Sequence, residues 1–303
     1  MLCACYFLLF LPLTTQANNS KKNIAIVYLK DTGFSHELME HLESDISGNK
    51  FNVQKISIKN ALNTQLKEQD FVIALGSNVT KALLESDIRK PTLSLLIPKS
   101  FAEAIEKEYP DTTNLSMLLI DHPIKRHFRL ISEILGKHHK IGLMLGTHTL
   151  QSEKLFKQVA AESNQSLITR YIEQPKQLIP ALKALSKETD ALLALPEPGI
   201  YNKRTIRSIL LSAYRYKLPI IGFSKAYVKA GAIAAIYSKP EQISTQTTTI
   251  SNQFFNKNHF DKKIHQPTDF SISLNHKVAR SMSMRLPEIS AITEKIKKSE
   301  IKP

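Results

Sequence analysis

Eight short apolar runs, separated by amphipathic stretches, constrain this chain more than any other feature. The first four are 24–29, 51–58, 71–75 and 91–97; the second four are 141–145, 166–172, 191–195 and 219–223. Runs of this length, with helix-like stretches between them, read as parallel strands covered on both faces. The spacing repeats, with Ile24 and Phe71 47 positions apart and Ile141 and Ala191 50 apart. In each set the last run begins at a proline, Pro91 or Pro219. The pattern predicts an α/β fold: two doubly wound parallel-sheet domains of similar plan, with a ligand cleft between them.

The connecting segments carry helix signals. Ser35 is placed to cap a helix whose Leu38, Met39, Leu42 and Ile46 form one apolar face, with Phe34 and Met39 as a hydrophobic staple. Pro123 opens a helix over 124–135 that carries the chain from one half to the other. Pro240 opens another, with Ile243, Thr247, Ile250 and Phe254 on one side. Residues 256–268 read as a polar loop, 270–274 as a late strand, and Asn275 as the cap of the helix after it. The lysine-rich stretch 294–303 is expected to fray. The expected domains are 23–121 and 122–256, with about 257–303 returning to the first.

Residues 1–20 hold no charged side chain, and 1–13 are mostly apolar. That run is shorter than the roughly 20 residues a membrane span needs. Thr15-Gln16-Ala17 follows as a small-x-small exit, so 1–17 reads as a secretory signal cleaved near Ala17 and the mature chain as periplasmic. A basic n-region is missing, which allows a start further upstream. Both cysteines, Cys3 and Cys5, fall within the signal. The mature chain then has no disulfide, thiol nucleophile or cysteine-based zinc site, which suits an oxidising compartment. The net charge of +14 would ordinarily suggest nucleic acid or anionic membranes. Export removes nucleic acid from the expected partners.

Ligands in open parallel sheets sit beyond the carboxyl ends of the strands. That rule selects loops: 30–35 with Gly33, Phe34 and Ser35; Gly76, Ser77 and Asn78; 98–100; 146–149 with Thr147 and Thr149; 196–199 with Glu197; and 224–227 with Ser224 and Tyr227. Ser77 and Asn78 open a helix with no acidic residue in its first turn, so its free amides suit a carboxylate or phosphate, or Ser77 and Asn78 simply cap it. Glu197 lies between two prolines. It either receives an ammonium or hydroxyl of a ligand, or is an exposed loop carboxylate paired with Lys203 or Arg204. The sequence has no dinucleotide-binding glycine motif, phosphate loop, His-Glu-x-x-His or Gly-x-Ser-x-Gly. The ten histidines read as solvated; His36 and His41, five apart, miss the i, i+4 spacing of shared metal ligation. No catalytic residue, cofactor or metal is expected.

One stretch is more specific: 190–198, Tyr201-Asn202, Pro219-Ile-Ile-Gly-Phe-Ser224 and Val228-Lys-Ala-Gly-Ala-Ile-Ala-Ala-Ile-Tyr-Ser238. It resembles the ABC-transporter substrate-binding protein family with the type I periplasmic-binding-protein fold. Asp70–Ser77, Asn114-Leu-Ser116 and Phe270–Asn275 with Ala279 and Leu286-Pro287 agree in order and spacing. The likeness covers roughly 23–287. Departures are Met117 in place of a glycine, Pro98-Lys-Ser100 in place of an acidic residue and proline, and no glycine near Ser244. The resemblance implies an exported, non-enzymatic protein. It would capture an amino acid or small organic anion for an ABC permease, and Tyr201 would join the ligand-binding set. A sensor accessory docking on a membrane receptor and a periplasmic enzyme are the alternative readings.

Overall fold

The computed structural model describes residues 21–301, apart from Thr32, Gly48 and Asn49; the expected signal segment lies outside the described residues. Five strands follow one another into a first sheet: β1 (Lys22–Tyr28), β2 (Phe51–Ser57), β3 (Phe71–Leu75), β4 (Thr92–Ile97) and β5 (Leu115–Leu119). Five more build a second: β6 (Lys140–Leu145), β7 (Ser166–Tyr171), β8 (Ala191–Leu193), β9 (Ile220–Gly222) and β10 (Ala234–Tyr237). The chain then returns once to each, as β11 (Ile264–His265) and β12 (Ser271–Leu274). The strand orders are β11-β5-β4-β3-β1-β2 and β12-β10-β9-β8-β6-β7. The β10/β12 pair is antiparallel and the other pairs are parallel. Ile24 stands opposite Val53 and Phe71, as Ile141 stands opposite Leu167 and Ala191. The two sheets therefore share one plan.

The helices in chain order are α1 (Phe34–Ile46), the single turn α2 (Ile58–Asn60), α3 (Ser77–Glu85), α4 (Lys99–Glu108), α5 (Ile124–Leu135), α6 (Glu153–Glu162), α7 (Leu178–Glu188), α8 (Ile206–Arg215), α9 (Lys225–Ala230), α10 (Pro240–Lys257), α11 (His276–Ser281) and α12 (Ile289–Ile301). The apolar face expected on α1 is buried, and it packs with Ile243, Ile250 and Phe254 of α10 against the first sheet. Ser244, where the family pattern has a glycine nearby, is fully buried and donates to Asp45 at 2.6 Å. Asn275 caps α11 as expected, accepting from the amide of Val278.

Several expectations are corrected. Gly33, at φ +50°, is the residue before α1; Ser35 lies inside the helix and caps nothing, and Phe34 is exposed, so no staple forms. Of the segment 257–303 expected to return to the first domain, β11 does so, whereas β12 pairs with β10 and α12 buries Ile292 and Ile296 with the second core. The same burial keeps residues 289–301 helical where fraying was expected. The polar stretch 256–268 contains β11, which extends the first sheet beside β5.

The chain crosses between sheets three times, at 120–123, 238–239 and 266–270. One side chain bonds two of these crossings directly and reaches the other through a histidine. Arg126, in the first turn of α5, is only 5% exposed. It donates to His122 Nδ1 (3.1 Å), Pro267 O (2.8 Å), Thr268 O (2.9 Å) and the Glu300 carboxylate (3.0 Å). An arginine can only donate, so His122 accepts at Nδ1, carries its proton on Nε2 and directs it to Ser238 Oγ at 3.1 Å. The guanidinium lies 4.9 Å from the centre of the Phe270 ring. His122 and the neighbouring His127 are buried, not solvated as their residue type suggested.

Arg126→Gln removes donors from the buried carbonyl of Pro267, the part-buried carbonyl of Thr268 and a buried imidazole. It should destabilise the chain by about 3 kcal/mol in urea denaturation, with Arg126→Lys recovering only part because a lysine cannot reach all the acceptors. A second expectation concerns acid. Burial holds His122 down to about 3 and His127 down to about 4, from 6.5. The unfolded chain therefore takes up protons first as the pH falls below 6.5, and the folded state loses stability. Asp121, raised from 3.8 to about 6 by burial, acts in the opposite sense between those values. Thermal melts should show a net loss of stability from pH 6.5 to 4, with a shallower slope in His127→Gln.

Candidate functional site

The strand exits of both sheets face the region between them, and their polar groups divide into those bonded to one another and those left free. The exit of β6 belongs to the first kind. Thr149 Oγ1 accepts from the amide of Gly146 (3.0 Å) and donates to Glu197 Oε2 (2.9 Å), which also accepts from the amide of His148 (3.1 Å). Glu197 Oε1 faces the amide of Gly199 at 3.4 Å. The carboxylate is 1% exposed, so it is not the surface loop group that pairing with Lys203 or Arg204 requires. It fastens the β8 exit to the β6 exit. A Cβ on Gly146 would stand 2.6 Å from Glu197 Cδ, so only glycine permits that approach.

The remaining expected residues separate by place. Tyr201 lies in the core of the second domain, with its ring centre 6.3 Å from Phe223 and 6.4 Å from Tyr227. Burial foremost, then Tyr227 and Glu197, push its hydroxyl above the ordinary tyrosine range, and its Oη is buried without a partner. Tyr227 packs on Phe223 at 4.5 Å and against Gly222, where an added Cβ would stand 2.9 Å from Tyr227 Cβ. Ser224 Oγ caps α9, accepting from the amide of Tyr227. Gly76, at φ +90°, is the residue before α3. The first turn of α3, with half-buried Ser77 and exposed Asn78, has neither an acidic residue nor a side-chain cap. Thr147 is exposed.

Two of the expected residues, Phe34 and Ser224, line a cavity of about 500 Å³. Its walls combine Leu96, Leu119 and Ile120 of the first sheet with Phe223 of the second, closed by Tyr237 and Pro240 around the second crossing. Glu37, Glu241, Lys225 and Lys239 also line it. Leu96 reaches it through a bulge: its φ is +61° and the β4/β5 register shifts between Leu95 and Ile97. Sequence reasoning missed Leu96, since no residue type announces a bulge at a leucine. It also missed Ile120 and Phe223, which an apolar residue at a strand exit could have signalled.

A second, smaller cavity of about 70 Å³ lies across the crossings, between Lys99 and Asp121 on one side and His127, His148 and Thr149 on the other. Asp121 Oδ2 accepts from the amide of Lys99 at 2.8 Å, and burial accounts for its raised pKa. Among the described residues, His127 Nδ1 is buried without a partner. Neither cavity gathers Gly33, Ser35, Gly76, Ser77, Asn78 or Thr147.

Known proteins supply the context for this geometry. A family model described as "ABC transporter substrate binding protein" matches residues 21–296. A conserved domain protein of Vibrio cholerae superposes with a TM-score of 0.63 at 18% identity, over 90% of this chain and 97% of that one. An ABC domain from Streptococcus pneumoniae, in complex with L-Trp, gives 0.66 at 13% identity, over 90% and 98%. The ligand-free, open form of a substrate-binding protein with adhesive properties from Clostridium difficile gives 0.69 at 15% identity, over 88% and 96%. No curated protein matches. At these identities the structures establish a shared fold, that of type I periplasmic binding proteins. With the family match running through nearly the whole described chain, this protein belongs to the ABC transporter substrate-binding protein family.

Proposed function

We propose that this chain captures a small solute, an amino acid or a small organic anion, between its two domains and presents it to an ABC-type importer. The cavity of about 500 Å³ carries the reading. Its size falls in the roughly 300–1,000 Å³ range of small-molecule sites. Both domains and the second crossing contribute to its wall. A solute held there contacts both domains at once, and so stabilises the arrangement in which they lie together. The aromatic and aliphatic lining, with Phe34, Phe223 and Tyr237, suits a solute with an apolar body. An L-Trp complex among the structural relatives is consistent with that choice. The uncapped first turn of α3, beside Ser77 and Asn78, lies outside the wall of this cavity and is proposed as a separate place for a carboxylate.

Calorimetric titration with L-amino acids and small carboxylates tests this. At least one should bind, and Phe223→Ala should weaken it about tenfold or more; because the ring also packs on Tyr227, thermal melts are run alongside and the milder Phe223→Leu should weaken binding in the same direction. A chain that binds none of them, and from which mass spectrometry recovers no co-purified solute, would not be a solute carrier.

The family is one of extracytoplasmic proteins that work with a membrane transporter. Among the described residues no helix is long and apolar enough to cross a membrane. Export with cleavage near Ala17 follows from the apolar leader and Thr15-Gln16-Ala17. N-terminal sequencing of periplasmic material should begin near Asn18; intact Met1 in a cytoplasmic fraction would overturn this.

A further inference from the structure

We propose that Glu37, His41 and Glu241 form a site for one divalent transition-metal ion, at the edge of the larger cavity. Glu37 and His41 are four residues apart on α1, so both project from one side of that helix, one turn from each other. Glu241 is the second residue of α10. The apolar faces of α1 and α10 pack together through Leu38, Leu42 and Ile243, and that packing fixes where the three polar groups meet. One donor atom from each lies within 4.8 Å of the other two.

The ion pairs around this cluster belong to other groups. Lys55 binds Glu40 and Glu43, and His36 binds Asp31. Glu37 and His41 are thereby left without an ion-pair partner among the described residues. Glu241 has one, Lys239 at 3.3 Å from Oε1, which leaves its second oxygen for an ion. In a chain of net charge +14, two carboxylates and an imidazole converge, and among the described residues only Glu241 of the three has an ion-pair partner.

The donor set selects the ion. An imidazole with two carboxylates suits Zn²⁺, and Mn²⁺, Co²⁺ or Ni²⁺ after it. Ca²⁺ and Mg²⁺ require all-oxygen shells, and no thiolate is present for Cu⁺. Bonds to zinc of about 2.0–2.2 Å place neighbouring donors about 3.3 Å apart, so small rotations of the three side chains close the site. Three protein ligands leave a coordination position open. Because Glu37 and Glu241 also line the cavity of about 500 Å³, that position is available to water or to a donor from within it. The ion joins Glu37 and His41 of α1 to the first turn of α10, directly after the second crossing.

The site is tested without any solute, so its outcome is separate from that of the solute-capture reading. Chelator-stripped protein is titrated with ZnCl₂ by calorimetry. One ion should bind per chain. Glu37→Gln, His41→Gln and Glu241→Gln should each weaken it by about tenfold or more, with the stripped variants melting as the parent does. His276→Gln, an exposed histidine outside the cluster, should change nothing. Co²⁺ gives a second readout: its visible d–d absorption should appear in the parent and be lost in all three variants. No stoichiometric binding, or triad variants that bind as tightly as the parent, would overturn the proposal.

Discussion

The guanidinium of Arg126 is the contact on which the arrangement of the two domains depends. The two sheets share no strand, so they are held relative to each other by three crossings of a few residues each. Arg126 bonds the first through His122, the third through the carbonyls of Pro267 and Thr268, and α12 through Glu300. His122 passes the connection to the second at Ser238. A buried cation requires partners on every donor, and the crossings supply backbone carbonyls that would otherwise be unpaired. Each side thus satisfies the other. The neutral state of His122 belongs to the same arrangement, since a protonated ring could not accept from Arg126.

At the strand exits, the second domain directs many of its polar groups inward. Glu197, Thr149 and the amides of the 146–149 loop satisfy one another, and Ser224 caps its own helix. What remains facing the space between the domains is largely apolar: Phe34, Leu96, Ile120, Phe223 and Tyr237. This division suits a site that uses a rigid polar frame to position an apolar wall. The left-handed Leu96 belongs to that wall and is held by the parallel strands β3 and β5 on either side of it. Strain of this kind persists where neighbouring structure over-determines it.

The fold was legible because burial on both faces of a parallel sheet leaves a direct trace, an uninterrupted apolar run such as Phe71–Leu75 or Ile141–Leu145. Helix faces were legible for the same reason, as with Leu38, Met39, Leu42 and Ile46. The site was less so. The rule that ligands sit at strand exits reached Phe34 and Ser224 on the cavity wall, but it also selected Glu197, whose carboxylate is bonded inward, and the resemblance added Tyr201, whose ring lies within the core. An exit loop identifies a neighbourhood, while the direction of each side chain depends on its packing neighbours.

By itself the sequence determined two covered parallel sheets, the faces of their helices and the family, since local periodicity and spacing are properties of one segment at a time. Only the tertiary structure decided what lies together across long separations. Arg126 meets Glu300, Glu197 turns inward to Thr149, β12 and α12 join the second sheet, and Glu37 and His41 meet Glu241. The physical reason is that each contact joins segments far apart in the sequence, which meet only when the whole chain is packed. Residue spacing carries no record of that geometry.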